Sequence, residues 1–340
     1  MEQAHLPLAV TLGEPAGIGP DLTLDIYAKR EARPVAPFAV FGDAAFLRSR
    51  AQRLDQEGLS IIEIASLAET QETFQHGLPV IDIGATASDT PGFLDPANAD
   101  IVTKSIAEAV SAVRTGGARA VVTAPIQKSN LYEAGFKYPG HTEYLAALCA
   151  ENGISPRPVM MLAHKDKRAI PVTIHIALRD VFARLTPGRI VETVRVAHHD
   201  LREKFGIAQP RIGLTGLNPH AGEDGAMGDE ETTIIQPALD ELLERFEIKA
   251  DGPLPADTAF APHIWNNYDV MIAMYHDQAL IPVKAIGFDA GVNVTLGLPI
   301  VRTSPDHGTA LSLAATGEAS STSMYEAMLL ADQMSGSKAV

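Results

Sequence analysis

Apolar positions along this chain alternate between two rhythms. Short continuous apolar runs at Leu8–Leu12, Pro37–Gly42, Ile61–Ala65, Val80–Ile83 and Ala118–Ala124 read as strands, and unbroken runs suit strands covered on both faces. Between them lie stretches of helical spacing. Ala44–Leu54 is one. Asn98–Thr115 is another, where Ile101, Ile106, Val110 and Val113 form a stripe that stops at Gly116-Gly117. The pattern continues with a helix Tyr144–Ala150 opened by Gly140-His-Thr-Glu143, strands at Val159–Ala163 and Ala169–His175, a helix from Gly188 to Lys204, strand Arg211–Leu217, helix Asp229–Phe246 and strand Val270–Met274. Gly308–Ala315 and Met324–Met334 have helix-like spacing, and Ser335–Val340 reads as a frayed tail. Such alternation predicts an α/β protein with mainly parallel sheets.

Several polar residues interrupt this pattern where a core would not tolerate them. Val270–Ala310 sets His276, Asp277, Lys284, Asn293 and Arg302 among many Val, Ile and Leu residues. Burying one such neutral group unpaired costs roughly 2–7 kcal/mol, and a charge costs more, so this stretch reads as the lining of a polar cleft. Three histidines, His175, His220 and His276, each stand at or just past the carboxyl end of an apolar run, the edge where open α/β sheets bind ligands. Three imidazoles from three segments suit a divalent metal with open positions, zinc first, with cobalt, manganese or magnesium as substitutes. The bland reading of each is a satisfied strand-end residue. His5, His76, His164, His198, His199 and His263 lack the pattern and read as surface residues. Lys284 and Arg302 suit a phosphate and a carboxylate, and His141-Thr142 at a helix start adds donors. For Lys284 the competing reading is a solvated helix face. The glycine-rich turn Gly13–Pro20 is either an anion cradle or a tight structural turn; its spacing is not that of a Rossmann fingerprint.

Bulk properties narrow the class. A chain of 340 residues suits two domains, and 46% hydrophobic with 20% charged residues is a globular composition. No window approaches the roughly 20 apolar residues of a membrane span. The N-terminus carries no basic region of a secretion signal, which makes the cytoplasm the expected compartment. A net charge of −15, from 27 Lys+Arg against 42 Asp+Glu, argues against nucleic-acid or anionic-membrane partners. The single cysteine, Cys149, excludes an intrachain disulfide and reads as a buried helical thiol.

Eight motifs then occur in order: Gly13-Glu-Pro-Ala-Gly-Ile-Gly-Pro20, Thr123-Ala-Pro-Ile-Gln-Lys128, Gly140-His-Thr-Glu143, Leu217-Asn-Pro-His-Ala-Gly-Glu223, Leu254-Pro-Ala-Asp257, Ala273-Met-Tyr-His-Asp-Gln278, Val292-Asn-Val-Thr-Leu-Gly-Leu-Pro299 and Arg302-Thr-Ser-Pro-Asp-His-Gly308. Over nearly the whole chain the sequence resembles the 4-hydroxythreonine-4-phosphate dehydrogenase family. The resemblance implies an isocitrate/isopropylmalate dehydrogenase-like fold, with two α/β/α subdomains flanking an active-site cleft. The expected subdomains are 1–130 plus about 297–340, and about 131–296 with a dimer interface. It implies a homodimer whose active site lies at the subunit interface, where matches of His175 and His220 on one chain and His276 on the other hold the metal. It assigns His141, Thr142, Lys284, Asn293 and Arg302 to the substrate, and Asp257 and Asp277 to the acidic residues near the chemistry.

The implied activity is oxidation of 4-phosphohydroxy-L-threonine by NAD, with NADP as the alternative. Decarboxylation to 3-amino-2-oxopropyl phosphate follows, in vitamin B6 biosynthesis. Zn²⁺ would polarise the secondary hydroxyl while a base takes its proton; Lys284, Asp277 and His141 all stand open for that role. Related sequences act on threonate or erythronate 4-phosphate, or on aromatic cis-dihydrodiol carboxylates; Lys284 and Arg302 favour a phosphorylated carboxylate. A metal-dependent hydrolase or lyase without nucleotide, and a non-catalytic metabolite-binding protein, are the competitors from other classes.

Overall fold

The computed structural model describes residues 6–336; His5 and 337–340 of the expected tail lie outside the described residues. The chain forms two compact units, one of residues up to Pro158 together with Leu298–Gly336, the other of Val159–Gly297. The first passage therefore falls after Pro158 rather than near 130. The helices Lys128–Glu133 and His141–Leu148 explain the difference. They bring Leu131, Leu145, Ala146 and Cys149 into one buried cluster with Val102, Ile106 and Val110 of the helix Ala99–Arg114, which holds them in the first unit. No helix among the described residues is long and apolar enough to cross a membrane.

The first unit starts with strands β1 (Leu8–Thr11), β2 (Phe38–Gly42), β3 (Ile61–Ile64), β4 (Leu78–Asp82) and β5 (Ala120–Val122). The second contains β6 (Val159–His164), β7 (Lys167–Thr173), β8 (Ile212–Thr215), β9 (Ala250–Leu254), β10 (Val270–Tyr275) and β11 (Val292–Leu296), after which β12 (Arg302–Pro305) returns to the first. In unit 1 the order is β3-β4-β2-β1-β5-β12, parallel at every pairing. β1, β2 and β5 are buried along their whole length, which is why they read as unbroken apolar runs. Unit 2, ordered β11-β6-β7-β10-β8-β9, departs from the parallel expectation: β6 pairs antiparallel with both β11 and β7. Its other pairings are parallel.

The helix expected at Gly308–Ala315 is only a single tight turn, Leu311–Leu313. Ala310 and Ala315, at φ 42° and 58°, lie in the left-handed region that interrupts a right-handed helix. The last helix instead extends over Thr322–Gly336, and the Ser335 hydroxyl donates to the Ala331 carbonyl. Asp229–Phe246 starts with a wide turn, Glu231–Ile235, before the regular helix Gln236–Phe246, whose first turn holds Pro237.

The glycine-rich turn after β1 is structural. Gly13 has φ +76°, and a Cβ there would stand 2.7 Å from Ala124 Cβ and 2.9 Å from the Pro125 carbonyl. Four of the turn's N–H groups already have protein acceptors: Glu14 donates to Pro125, Gly17 to Glu14, Ile18 to Thr309, and Ala16 to the Glu14 carboxylate. Its carbonyls at Pro15 and Gly17 accept from Arg50, which has no solvent exposure and also binds Asp21 (2.5 Å) and Asp89 (2.9 Å). Arg50→Ala leaves Asp21 and two carbonyls without their cation and Asp89 with Arg53 alone. The expected loss is about 3–5 kcal/mol, read as a lower urea midpoint at constant slope; an unchanged midpoint would contradict this role for Arg50.

Candidate active site

In unit 1, β5 and β12 are parallel neighbours with Arg302 opposite Val121, so the Arg302 side chain reaches Thr123 just past the end of β5. Its Nε and one Nη donate to the Thr123 hydroxyl at 3.1 and 2.6 Å, and the same Nη lies 3.4 Å from His141 Nδ1. Arg302 is only 4% exposed, and burial pushes its guanidinium down to about 9. Burial also holds the His141 ring well below its ordinary 6.5, with the positive charges of Arg302 and Lys128 adding to the effect. The ring is therefore neutral near pH 7. A guanidinium N–H directed at Nδ1 makes that nitrogen the acceptor and assigns the proton to Nε2. Nε2 is buried with no hydrogen-bond partner. It is an N–H donor awaiting an acceptor. Thr142 follows, half-buried, in the first turn of the helix His141–Leu148, whose N-cap Gly140 supplies no side-chain acceptor.

In unit 2, β7, β10 and β8 lie side by side and parallel, so their carboxyl ends share one edge. His175 lies two residues past β7, and His276 opens the helix His276–Gly287 directly after β10. His220 lies in the loop after β8. The rings of His175 and His276 stand 5.6 Å apart between centroids. Asp277 Oδ1 lies 2.7 Å from His276 Nδ1. His175 has φ 50°, and His220 starts a left-handed run, His220–Asp224, with φ between 43° and 83°. Each non-glycine residue in that conformation costs roughly 1–2 kcal/mol, the kind of strain that collects at functional sites. Among the described residues no group of three or more His, Cys, Asp or Glu side chains stands ready to hold a metal ion. One copy of the chain thus brings two of the three expected histidines together and leaves the set incomplete.

The other candidates are spread over both units. Lys284, half-buried, lies late in the helix His276–Gly287, and Asn293 lies half-buried on β11. Asp257 is exposed on the short helix Ala256–Ala259. His141, Thr142 and Arg302 belong to unit 1, and the remaining candidates belong to unit 2. Of the histidines expected on the surface, His76, His199 and His263 are exposed, whereas His164 and His198 are half-buried. Cys149 is a buried thiol outside any disulfide.

Two supporting residues escaped the sequence reading. Gln278 accepts from Met274 N–H and the Thr215 hydroxyl and donates to the Gly216 carbonyl, which ties the ends of β10 and β8 together. Glu231, 5% exposed, accepts from Leu217 N–H, Asn218 N–H and the Asn218 amide, and so braces the loop that leads to His220. Only the Gln in Tyr-His-Asp-Gln278 hinted at either, because a polar residue just past an apolar run needs a partner.

These features define a two-unit α/β enzyme with a cationic, donor-rich cluster on one unit and strand-end histidines on the other. A family model described as "Pyridoxal phosphate biosynthetic protein PdxA" matches residues 34–331. A 4-hydroxythreonine-4-phosphate dehydrogenase of Bradyrhizobium diazoefficiens is 51% identical, over 98% of this chain and 99% of its own. The crystal structure of 4-hydroxythreonine-4-phosphate dehydrogenase from Klebsiella pneumoniae superposes with a TM-score of 0.84 at 37% identity, over 97% of this chain and 99% of that one. A terephthalate 1,2-cis-dihydrodiol dehydrogenase from Burkholderia xenovorans is further away, at TM-score 0.65 and 26% identity over 96% and 98% of the two chains. The chain belongs to the PdxA family, and is an oxidoreductase of pyridoxal phosphate biosynthesis.

Nitrogen NMR of the His141 ring should show a neutral ring protonated at Nε2 at pH 6; half-protonation near 6.5 would contradict the buried donor. Because the unfolded chain takes up this proton first, native stability should fall as pH drops below 6.5. His141→Gln should flatten that part of the stability–pH curve.

Proposed function

We propose that the protein oxidises 4-phosphohydroxy-L-threonine in the cytoplasm with NAD and a divalent metal, releasing CO₂ and 3-amino-2-oxopropyl phosphate. The observation that carries this reading is the buried Arg302–Thr123–His141 cluster, a guanidinium and an unused N–H donor held ready for an anion. The names of the relatives at 51% and 37% identity support the same substrate. His141, Thr142, Arg302 and Asn293 bind its phosphate and carboxylate, and Lys284 meets the substrate at the hydroxyl that is oxidised. A dihydrodiol substrate, as named for the relative at 26% identity, is the second reading; a cluster so rich in cationic and N–H donors favours phosphate over an aromatic ring.

His175, His220 and His276 would hold the metal, their imidazoles suiting Zn²⁺ with Mg²⁺, Mn²⁺ or Co²⁺ as substitutes. When bound, the ion supplies Lewis acidity to the secondary hydroxyl. A homodimer would complete the set across a subunit interface, with His175 and His220 from one copy and His276 from the other, although the rings of His175 and His276 already stand 5.6 Å apart within a single copy. Exposed Leu178 and Phe182 downstream of His175, and Ile281, Ile286 and Phe288 downstream of His276, support such an interface. Asp277 fixes the proton of His276 on Nδ1 and leaves Nε2 as the lone-pair donor. His141 donates through Nε2, which removes it from the role of base at that nitrogen. Lys284 is then the base that takes the hydroxyl proton, and Asp257 is the second acidic group near the chemistry.

NADH absorbance with 4-phosphohydroxy-L-threonine, threonate 4-phosphate or a cis-dihydrodiol carboxylate, each with Zn²⁺ or a chelator, tests this. Chelator-sensitive NADH from the amino-acid phosphate is expected; NADH from another substrate alone would move the enzyme to that substrate. His276→Ala should lose metal binding and at least about 100-fold in turnover, and Lys284→Met should lose kcat while still binding substrate. Wild-type metal content in His276→Ala, or wild-type kcat in Lys284→Met, would remove the respective role.

A further inference from the structure

We propose that Lys128 is a further substrate-binding residue, a second cation that with Arg302 and the Nε2–H of His141 seats the phosphate as a dianion. This rests on the phosphorylated substrate proposed above. A phosphate monoester carries about −1.5 to −2 charges at pH 7. Arg302 supplies one positive charge, and His141 is held neutral. The seat is one charge short without another cation, and the charge of Lys128 already bears on His141. It lies in unit 1 in the segment that continues from Thr123, and it opens the helix Lys128–Glu133.

Its position is set by Gly140, the residue before His141. A Cβ on Gly140 would stand 3.2 Å from the Lys128 Nζ and 3.6 Å from its Cε, so the absent side chain leaves the space that the ammonium fills. The Glu143 carboxylate reaches the same space, 2.8 Å from that point. Lys128 is exposed, and its charge reaches His141 strongly enough to help keep the ring neutral. Helix stability does not account for it. A cation at the first position of a helix opposes the helix dipole, so its placement there calls for another reason. An ammonium is a mobile point charge suited to a phosphate, while the Arg302 fork is fixed by Thr123.

Full-length wild type, Lys128→Met and Lys128→Arg are compared by calorimetric titration with inorganic phosphate and by steady-state kinetics with 4-phosphohydroxy-L-threonine. Lys128→Met should weaken phosphate binding and raise KM by about 10- to 100-fold, with a smaller change in kcat, and Lys128→Arg should recover most of the loss. Unchanged phosphate affinity and KM in Lys128→Met would overturn the assignment, as would a fall in kcat alone. The titration needs no turnover, which separates the two readings. Phosphate bound by wild type and lost in Lys128→Met supports Lys128 even where the absence of NADH refutes the proposed substrate.

Discussion

Parallel pairing between neighbouring strands is the constraint on which both residue clusters depend. A parallel pair sends both chains out at the same edge, so any polar residue that follows the strands is delivered to one place without further design. In unit 2 this applies to β7, β10 and β8, whose carboxyl ends lead to His175, His276 and His220. In unit 1 the parallel register of β5 and β12 sets Arg302, the first residue of β12, beside Thr123 just past the end of β5.

Within unit 1 the electrostatics run against the charge of the whole chain. The sequence carries a net −15, yet Arg302, His141 and Lys128 make a local cluster of positive charge and N–H donors. Burial is what makes it useful. Low-dielectric surroundings raise the cost of the Arg302 charge and keep His141 neutral, so an arriving anion regains most where the protein has spent most. The same reasoning separates Arg50 from Arg302. Arg50 meets Asp21, Asp89 and two loop carbonyls and acts as a structural tie, whereas Arg302 reaches Thr123 and His141.

Unit 2 combines order and strain. Gln278 and Glu231 fix the ends of β10 and β8 through hydrogen bonds to backbone groups, and beyond them His220 enters a left-handed turn. A turn with four non-glycine residues at positive φ persists only when its surroundings over-determine it. The buried Glu231 carboxylate, with its three donors, is such a restraint.

The sequence by itself determined the α/β class, most strands and the long helices, because a strand covered on both faces must be apolar at every position and a helix packed on one side must repeat near 3.6 residues. It also marked His175, His220, His276 and Arg302 at the ends of apolar runs, Lys284 and Asn293 within an apolar stretch and His141 at a helix start, since polar residues in such places need a reason to be there. Local pattern does not carry what depends on distant partners. The antiparallel pairings of β6, the passage after Pro158 and the loss of the helix at Gly308–Ala315 follow from packing or from backbone angles that no periodicity records. The same holds for the structural rather than anionic role of the Gly13–Pro20 turn. Two of its N–H groups, those of Glu14 and Ile18, are taken by Pro125 and Thr309, each more than a hundred positions away. The tertiary structure alone decided which His141 nitrogen carries the proton, because that depends on an arginine 161 positions along the chain.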